Sequence, residues 1–148
     1  MVMVDHILKR EVEISAPIEN VFELLTNPAK IPLVMPGLIE NTSIPKLPLK
    51  KGDKFKYKYQ MFGVILTGTW TVEKIESPSV YEAATDGDIP SKWKYKLISN
   101  KGKTRLEFEV NYDIPKNVLA QVKAAAIKSM NEKESDHYMH NLKTVLEM

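Results

Sequence analysis

At 148 residues the chain is long enough for one domain that buries roughly 70% of its unfolded surface, and 43% hydrophobic with 27% charged residues is no disordered composition. The 21 basic and 19 acidic side chains leave a formal charge of +2, too balanced for nucleic-acid binding by electrostatics alone, and Arg10 and Arg105 are the only arginines available for guanidinium recognition of phosphate or carboxylate. There is no cysteine, which excludes disulfides, zinc–thiolate sites, iron–sulfur clusters and thiol nucleophiles. Residues 1–10 hold Asp5 and Lys9 and no apolar core of a signal peptide, and no apolar run reaches the ~18 residues of a spanning helix, so a cytoplasmic location is expected.

In chain order, the first element expected is a strand over Leu8–Ser15, where Leu8, Val12 and Ile14 alternate with Lys9, Glu11 and Glu13. A period of two marks a half-buried antiparallel strand. Ala16-Pro17 then opens a helix, since proline's missing N–H costs nothing at the first helical position and Glu19 suits the positive end of the dipole. Val21, Phe22, Leu24 and Leu25 give it a buried stripe, and Asn27-Pro28 stops it. A second short helix is expected over Pro28–Met35, closed by Pro36-Gly37.

The next six elements read as strands: Leu38–Ser43, Asp53–Met61, Val64–Ile75, Val80–Asp86, Ser91–Leu97 and Thr104–Tyr112. Phe55, Tyr57, Tyr59 and Met61 oppose Lys54, Lys56 and Lys58; Trp93, Tyr95 and Leu97 oppose Lys92, Lys94 and Lys96; Leu106, Phe108, Val110 and Tyr112 oppose Arg105, Glu107 and Glu109. Gly68 marks a bend or a close approach within its strand. Asp86-Gly87 and Asn100-Lys101-Gly102 read as turns. A long helix is expected over Lys116–Leu146, with Leu119, Val122, Ala126, Met130, Tyr138, Leu142 and Val145 as its apolar stripe. Its length of roughly 45 Å exceeds the width of a small domain, and a bend is expected near Ser129–Asn131.

Consecutive strands with one charged face each exclude a doubly wound fold. The expected class is α+β: a curved seven-stranded antiparallel sheet wrapped around the long C-terminal helix, with two short helices after strand 1, in a single domain over 1–148.

Several motifs point to a family. Glu13-Ile14-Ser15-Ala16-Pro17 runs into Val21-Phe22-Glu23-Leu24-Leu25 and Thr26-Asn27-Pro28. Met35-Pro36-Gly37 follows, then Gly68-Thr69-Trp70-Thr71-Val72 with Tyr81-Glu82, and a tail of Asn131-Glu132-Lys133-Glu134 and Asn141-Leu142-Lys143. Across nearly the whole chain this resembles the START/Bet v 1-like (SRPBCC) superfamily, in particular its polyketide cyclase/dehydrase and lipid-transport group. The opening and the Pro-Gly element are also similar to those of a family of carbon monoxide dehydrogenase accessory proteins. The resemblance implies a helix-grip fold and an apolar ligand (lipid, sterol, polyketide or quinone) between sheet and helix. Its enzymatic members share no single catalytic motif, so it carries over no catalytic residue.

Each inward aromatic alone reads as core packing. Together, amphipathic rings crowded on one sheet face suit a partly wet pocket that grips an apolar molecule. The residues expected to line it are Tyr57, Tyr59, Trp70, Tyr81, Trp93, Tyr95, Phe108 and Tyr112, with Met130 and His137 from the helix. Turns at Phe62-Gly63 and Gly87-Asp88-Ile89-Pro90 would form the entrance. Arg10 shares parity with Val12 and Ile14; turned inward it would pair with Glu82, Glu107 or Glu109, and otherwise it snorkels at the rim. His137 and His140 lack the spacing and intervening Glu of a zincin, so no metal site is expected, nor any cofactor. The lysine rows read as solvated strand faces rather than a nucleic-acid surface.

Binding or transport of a hydrophobic small molecule is therefore the leading expectation, with transient contact with an anionic membrane if that molecule is a lipid. A cyclase- or dehydratase-type enzyme would need a buried polar cluster such as His137 with a tyrosine. An accessory protein without a ligand would have a collapsed interior.

Overall fold

The computed structural model describes residues 5–114, 116–120 and 122–148, with the side chains at 5, 6, 117 and 124 also outside the description. The alternating segments form seven strands: β1 (Asp5–Ile14), β2 (Leu38–Thr42), β3 (Lys54–Met61), β4 (Val64–Glu76), β5 (Val80–Thr85), β6 (Ser91–Asn100) and β7 (Lys103–Asp113). Helix α1 (Ile18–Leu25) and a 3-10 turn (Ile31–Leu33) follow β1, while α2 (Lys116–Leu119) and α3 (Ala124–Leu146) close the chain. This is the α+β helix-grip architecture.

All neighbouring strands are antiparallel, in the order β1-β7-β6-β5-β4-β3-β2. The chain between the two edge strands crosses from one side of the sheet to the other, with α1 packed on β6 and β7 and the 3-10 turn on β2. Register shifts between Leu38 and Glu40 and between Val72 and Lys74 bend the strands where extra residues leave the ladder. Phe62-Gly63 and Lys101-Gly102 both hold positive φ at two successive residues, the two-residue hairpin geometry that follows strand twist.

Two expected elements differ. The helix expected over Pro28–Met35 is reduced to the turn at Ile31–Leu33. Prolines 28, 32 and 36 remove N–H donors and disfavour helical backbone at the residue before each, so an α ladder does not run through the segment. The helix expected over Lys116–Leu146 is interrupted between Leu119 and Ala124, where Lys123 is extended at φ −65, ψ 143; Gln121 of that range lies outside the described residues. No Gly or Pro marks this break, and α3 runs on through Ser129–Asn131 where a bend was expected.

The sheet's outer face explains the lysine rows. Lys94 lies between Glu82 on β5 and Glu109 on β7, Lys96 faces Glu107, and Lys9 pairs with Glu109 at 3.6 Å. Arg105 adds Glu11 at 2.9 Å and Glu107 at 3.3 Å. Charges thus alternate across β1, β7, β6 and β5, a cross-strand pattern that supports register. On the inner face, Ile14, Val21, Val34, Leu106 and Leu142 are fully buried and form a dense core with α1 and the C-terminal half of α3.

Candidate functional site

The concave face beyond that core carries a chain of aromatic rings. Phe55 stacks on Trp70 at 5.8 Å, Trp70 meets Trp93 at 5.3 Å and Tyr81 at 6.3 Å, and Tyr81 stacks on Tyr95 at 5.7 Å. Phe108 touches Trp93 at 5.7 Å and Tyr95 at 5.2 Å, and Tyr138 of α3 closes the row edge-on at 5.6 Å. The order follows from the ladder: Phe55 faces Trp70, Tyr81 faces Tyr95, and Tyr95 faces Phe108 across adjacent strands.

These rings do not fill the interior. A cavity of about 120 Å³ remains between the sheet and α3. Tyr57, Tyr59, Trp70, Tyr81, Trp93, Tyr95, Phe108 and Tyr112 all line it, joined by Leu25, Pro28, Ile31, Met35 and Leu38 from the segment that crosses the sheet. An engineered cavity of about 150 Å³ lined by apolar side chains holds benzene. This space is therefore on the scale of a single ring.

The polar atoms of the wall are mostly satisfied by one another. Trp70 Nε1 donates to the Tyr81 hydroxyl at 2.9 Å, and the Tyr95 and Tyr138 hydroxyls are 2.9 Å apart. Trp93 Nε1 donates to Ser91 Oγ at 2.8 Å; Ser91 bonds Thr85, whose hydroxyl donates to the Ile89 carbonyl at 2.6 Å. Asn131 Nδ2 donates to the Tyr112 hydroxyl at 2.5 Å. The crowding of tyrosine and tryptophan on one sheet face is what suggested a partly wet pocket from the sequence. A buried donor needs a partner whether or not a ligand is present, and the fold supplies those partners itself.

Burial sets the ionisation of these groups. Desolvation pushes the phenols of Tyr81 and Tyr138 far up and that of Tyr112 up, with the hydrogen bonds from Trp70, Tyr95 and Asn131 opposing it. Tyr95 rises through burial and then the neighbouring Tyr138. Tyr57 is pushed up to about 12 by burial, the Ile89 N–H pulling the other way. Tyr59 rises well above its ordinary range through burial and the adjacent carboxylate of Glu134.

Glu134 enters the sequence reading only as part of the Asn131–Glu134 run, with no role at the site. It lines the cavity and accepts the Tyr59 hydroxyl at 2.7 Å, and burial raises its carboxyl, opposed by that bond and by nearby His137. Gly37, at φ +85, lets the Tyr59 ring lie across its backbone, since a Cβ there would sit 2.7 Å from the ring. Asn131 and Ser135 line the same wall, 5% and 7% exposed.

Met130 and His137, the two helix residues expected at the site, are not on the wall: Met130 is 41% exposed and His137 faces solvent. The apolar stripe read from the sequence was out of phase in the helix's first half, where Ala126 is exposed too. The inner face instead runs through Ile127, Asn131, Glu134, Ser135, Tyr138 and Leu142, because the helix passes a cavity with a polar wall rather than a solid core. Counting back from Tyr138 by four and seven residues reaches Glu134 and Asn131, the spacing that would have found them.

Arg10 pairs with none of Glu82, Glu107 or Glu109. Its Nε donates to Asp136 at 2.7 Å and its Nη2 to the Glu132 carbonyl at 3.3 Å, fastening β1 to α3 outside the cavity. His140 is exposed like His137, and no cluster of three or more His, Asp or Glu gathers among the described residues. The segment 86–90 is pinned on β4: Asp88 N–H donates to the Thr67 carbonyl at 3.0 Å, and the Tyr57 hydroxyl donates to the Asp86 carbonyl at 2.7 Å while accepting the Ile89 N–H at 3.3 Å. Ile89 lines the cavity from this fixed rim. No helix among the described residues is long and apolar enough to cross a membrane.

The family described as polyketide cyclase / dehydrase and lipid transport matches residues 5–147. Among solved structures, a START superfamily protein from Mycobacterium smegmatis superposes with a TM-score of 0.77 at 12% identity, covering 96% of this chain and 97% of that one. The Zhui aromatase/cyclase from Streptomyces sp. R1128 gives 0.74 at 12% identity, over 97% and 94%. A conserved protein from Geobacillus kaustophilus gives 0.73 at 14%, over 97% and 95%. At such identities these likenesses speak for the fold. No curated protein matches the sequence.

Proposed function

From a chain that belongs to the polyketide cyclase / dehydrase and lipid transport family of the START/Bet v 1-like superfamily, we infer binding of one small hydrophobic molecule between the sheet and α3. The observation that carries this reading is the cavity of about 120 Å³ among rings that otherwise stack on one another. A core under no demand but stability closes such a space, because each missing contact costs dispersion and transfer energy. Burial of ligand surface at roughly 25 cal/mol per Å² supplies the affinity, and the pairing of Trp70 with Tyr81, Trp93 with Ser91 and Tyr95 with Tyr138 leaves the ring side of the wall largely apolar.

A cyclase- or dehydratase-type reaction that relies on His137 as its acid/base is disfavoured by that residue's position. The acid/base that such a reading would draw on stands in solvent. The cavity's size further favours a compact molecule over a long acyl chain.

Trp70 and Trp93 are the only tryptophans, and both line the cavity, so intrinsic fluorescence reports its occupancy directly. One- and two-ring apolar compounds are expected to change that fluorescence saturably with one site per chain. Native mass spectrometry of freshly purified protein is expected to retain a small apolar adduct. A panel with no saturable response, together with a bare mass, overturns the reading.

A further inference from the structure

Resting on that reading of the cavity, we propose that Glu134 sets ligand selectivity: it accepts a hydrogen bond from an uncharged, ring-sized molecule bearing an O–H donor, and it shuts out organic anions. The composition of the wall carries the argument. Among the described lining residues there is no Lys, Arg or His, and Glu134 is the only carboxyl. A ligand carboxylate would enter beside a like charge with no cation on the wall to offset it, His137 standing near Glu134 but on the solvent side, at a cost that low dielectric enlarges.

The carboxyl also has capacity to spare. Two carboxylate oxygens accept up to about four hydrogen bonds, and the Tyr59 hydroxyl occupies Oε2 alone. Oε1 has no protein donor among the described residues. Half-buried as it is, that oxygen gains from a donor delivered inside the cavity, and a hydrogen bond to a charged acceptor is roughly twice as strong as a neutral one. A second group on the same wall points the same way. Ser135 is 7% exposed, lines the cavity, and makes no hydrogen bond among the described residues. A buried hydroxyl left unpaired by the protein calls for a partner. It can donate to the oxygen whose proton Glu134 accepts.

The test uses three compounds of matched shape, p-cresol, p-xylene and p-toluate, titrated by protein NMR shifts into the wild type and into Glu134→Gln and Glu134→Met. The wild type is expected to bind p-cresol about tenfold or more tighter than p-xylene, the ratio a charge-assisted hydrogen bond supplies, and p-toluate more weakly still. Glu134→Gln should shrink the cresol preference, and Glu134→Met should bring cresol and xylene within about threefold of each other. If the Met variant does not fold, the wild-type series and the isosteric Gln variant decide. Equal affinity for cresol and xylene in the wild type, toluate binding as tight as cresol, or a preference undiminished in Glu134→Gln overturns the proposal and leaves the cavity reading standing. Binding of none of the three overturns both.

Discussion

Gly68 lies opposite Tyr57 across the β3–β4 ladder, and a Cβ built there would stand 2.1 Å from the Asp86 carbonyl oxygen and 2.5 Å from the Tyr57 hydroxyl. The absent side chain is what lets the segment after β5 fold down onto the sheet and present Ile89 to the cavity. Gly68→Ala forces a backbone atom to give way, and is expected to cost about 2–4 kcal/mol in urea unfolding. Tyr57→Phe keeps the ring but strips the Asp86 carbonyl and the Ile89 N–H of their shared partner. It should cost about 1–3 kcal/mol. Losses within about 0.5 kcal/mol for both variants would show that this rim is not fixed by these contacts. The sequence flagged Gly68 because a glycine inside a strand marks a close approach, whereas nothing local revealed what approaches: Asp86 comes from another strand's end. The eight wall aromatics expected on the strands were legible for a stronger reason, since a period of two leaves each inward position no alternative once its neighbours are assigned.

On the scale of elements, α3 is held by polar contacts at its C-terminal half. Asn141 Nδ2 donates to the Val34 carbonyl at 3.0 Å, Lys143 Nζ to the Glu13 carbonyl at 2.7 Å, and the Glu147 carboxylate accepts the Ser15 N–H at 2.8 Å. Between the first two, Leu142 is fully buried. The Asn141-Leu142-Lys143 run that contributed to the family resemblance is therefore a fastening of the helix to the crossing segment and to β1. Asn141→Ala is expected to cost about 1–2 kcal/mol, because a half-buried carbonyl loses its donor, and Lys143→Ala less than about 1 kcal/mol at its more exposed site. Equilibrium unfolding of the two variants checks the order, and a larger loss for Lys143→Ala would contradict it. The helix was also where sequence reading lost its grip. Strand faces are pinned by alternation, but a helix can be rotated by one residue with little change in its apolar count. Choosing Ala126 and Met130 over Ile127 and Asn131 rested on the premise that inward means apolar. Beside a cavity that premise fails, and the three polar residues it hid are those that give the wall its chemistry.

Taken whole, the molecule places all six of its tyrosines on the cavity wall with raised ionisation, five on the sheet and one on α3, all of them buried except the half-buried Tyr59. The linkage has a definite sign. A phenol whose folded pKa lies above its unfolded value of about 10 keeps its proton in the native state at a pH where the unfolded chain has lost it. Its contribution to stability is complete below about pH 10 and is lost as pH rises towards the folded pKa, at about 1.4 kcal/mol for each tenfold difference in proton affinity between the two states. Desolvation opposes ionisation at each of the six, so alkali is expected to ionise them by unfolding the chain rather than in place. Alkaline titration followed by ultraviolet phenolate absorbance should accordingly show almost no tyrosinate while the far-ultraviolet circular dichroism is native. Both signals should then change together in one cooperative step above about pH 10. Several tyrosines titrating independently near pH 10 with the dichroism intact would mean that the aromatic wall is open to water, and the shielding of these phenols by the fold would have to be given up.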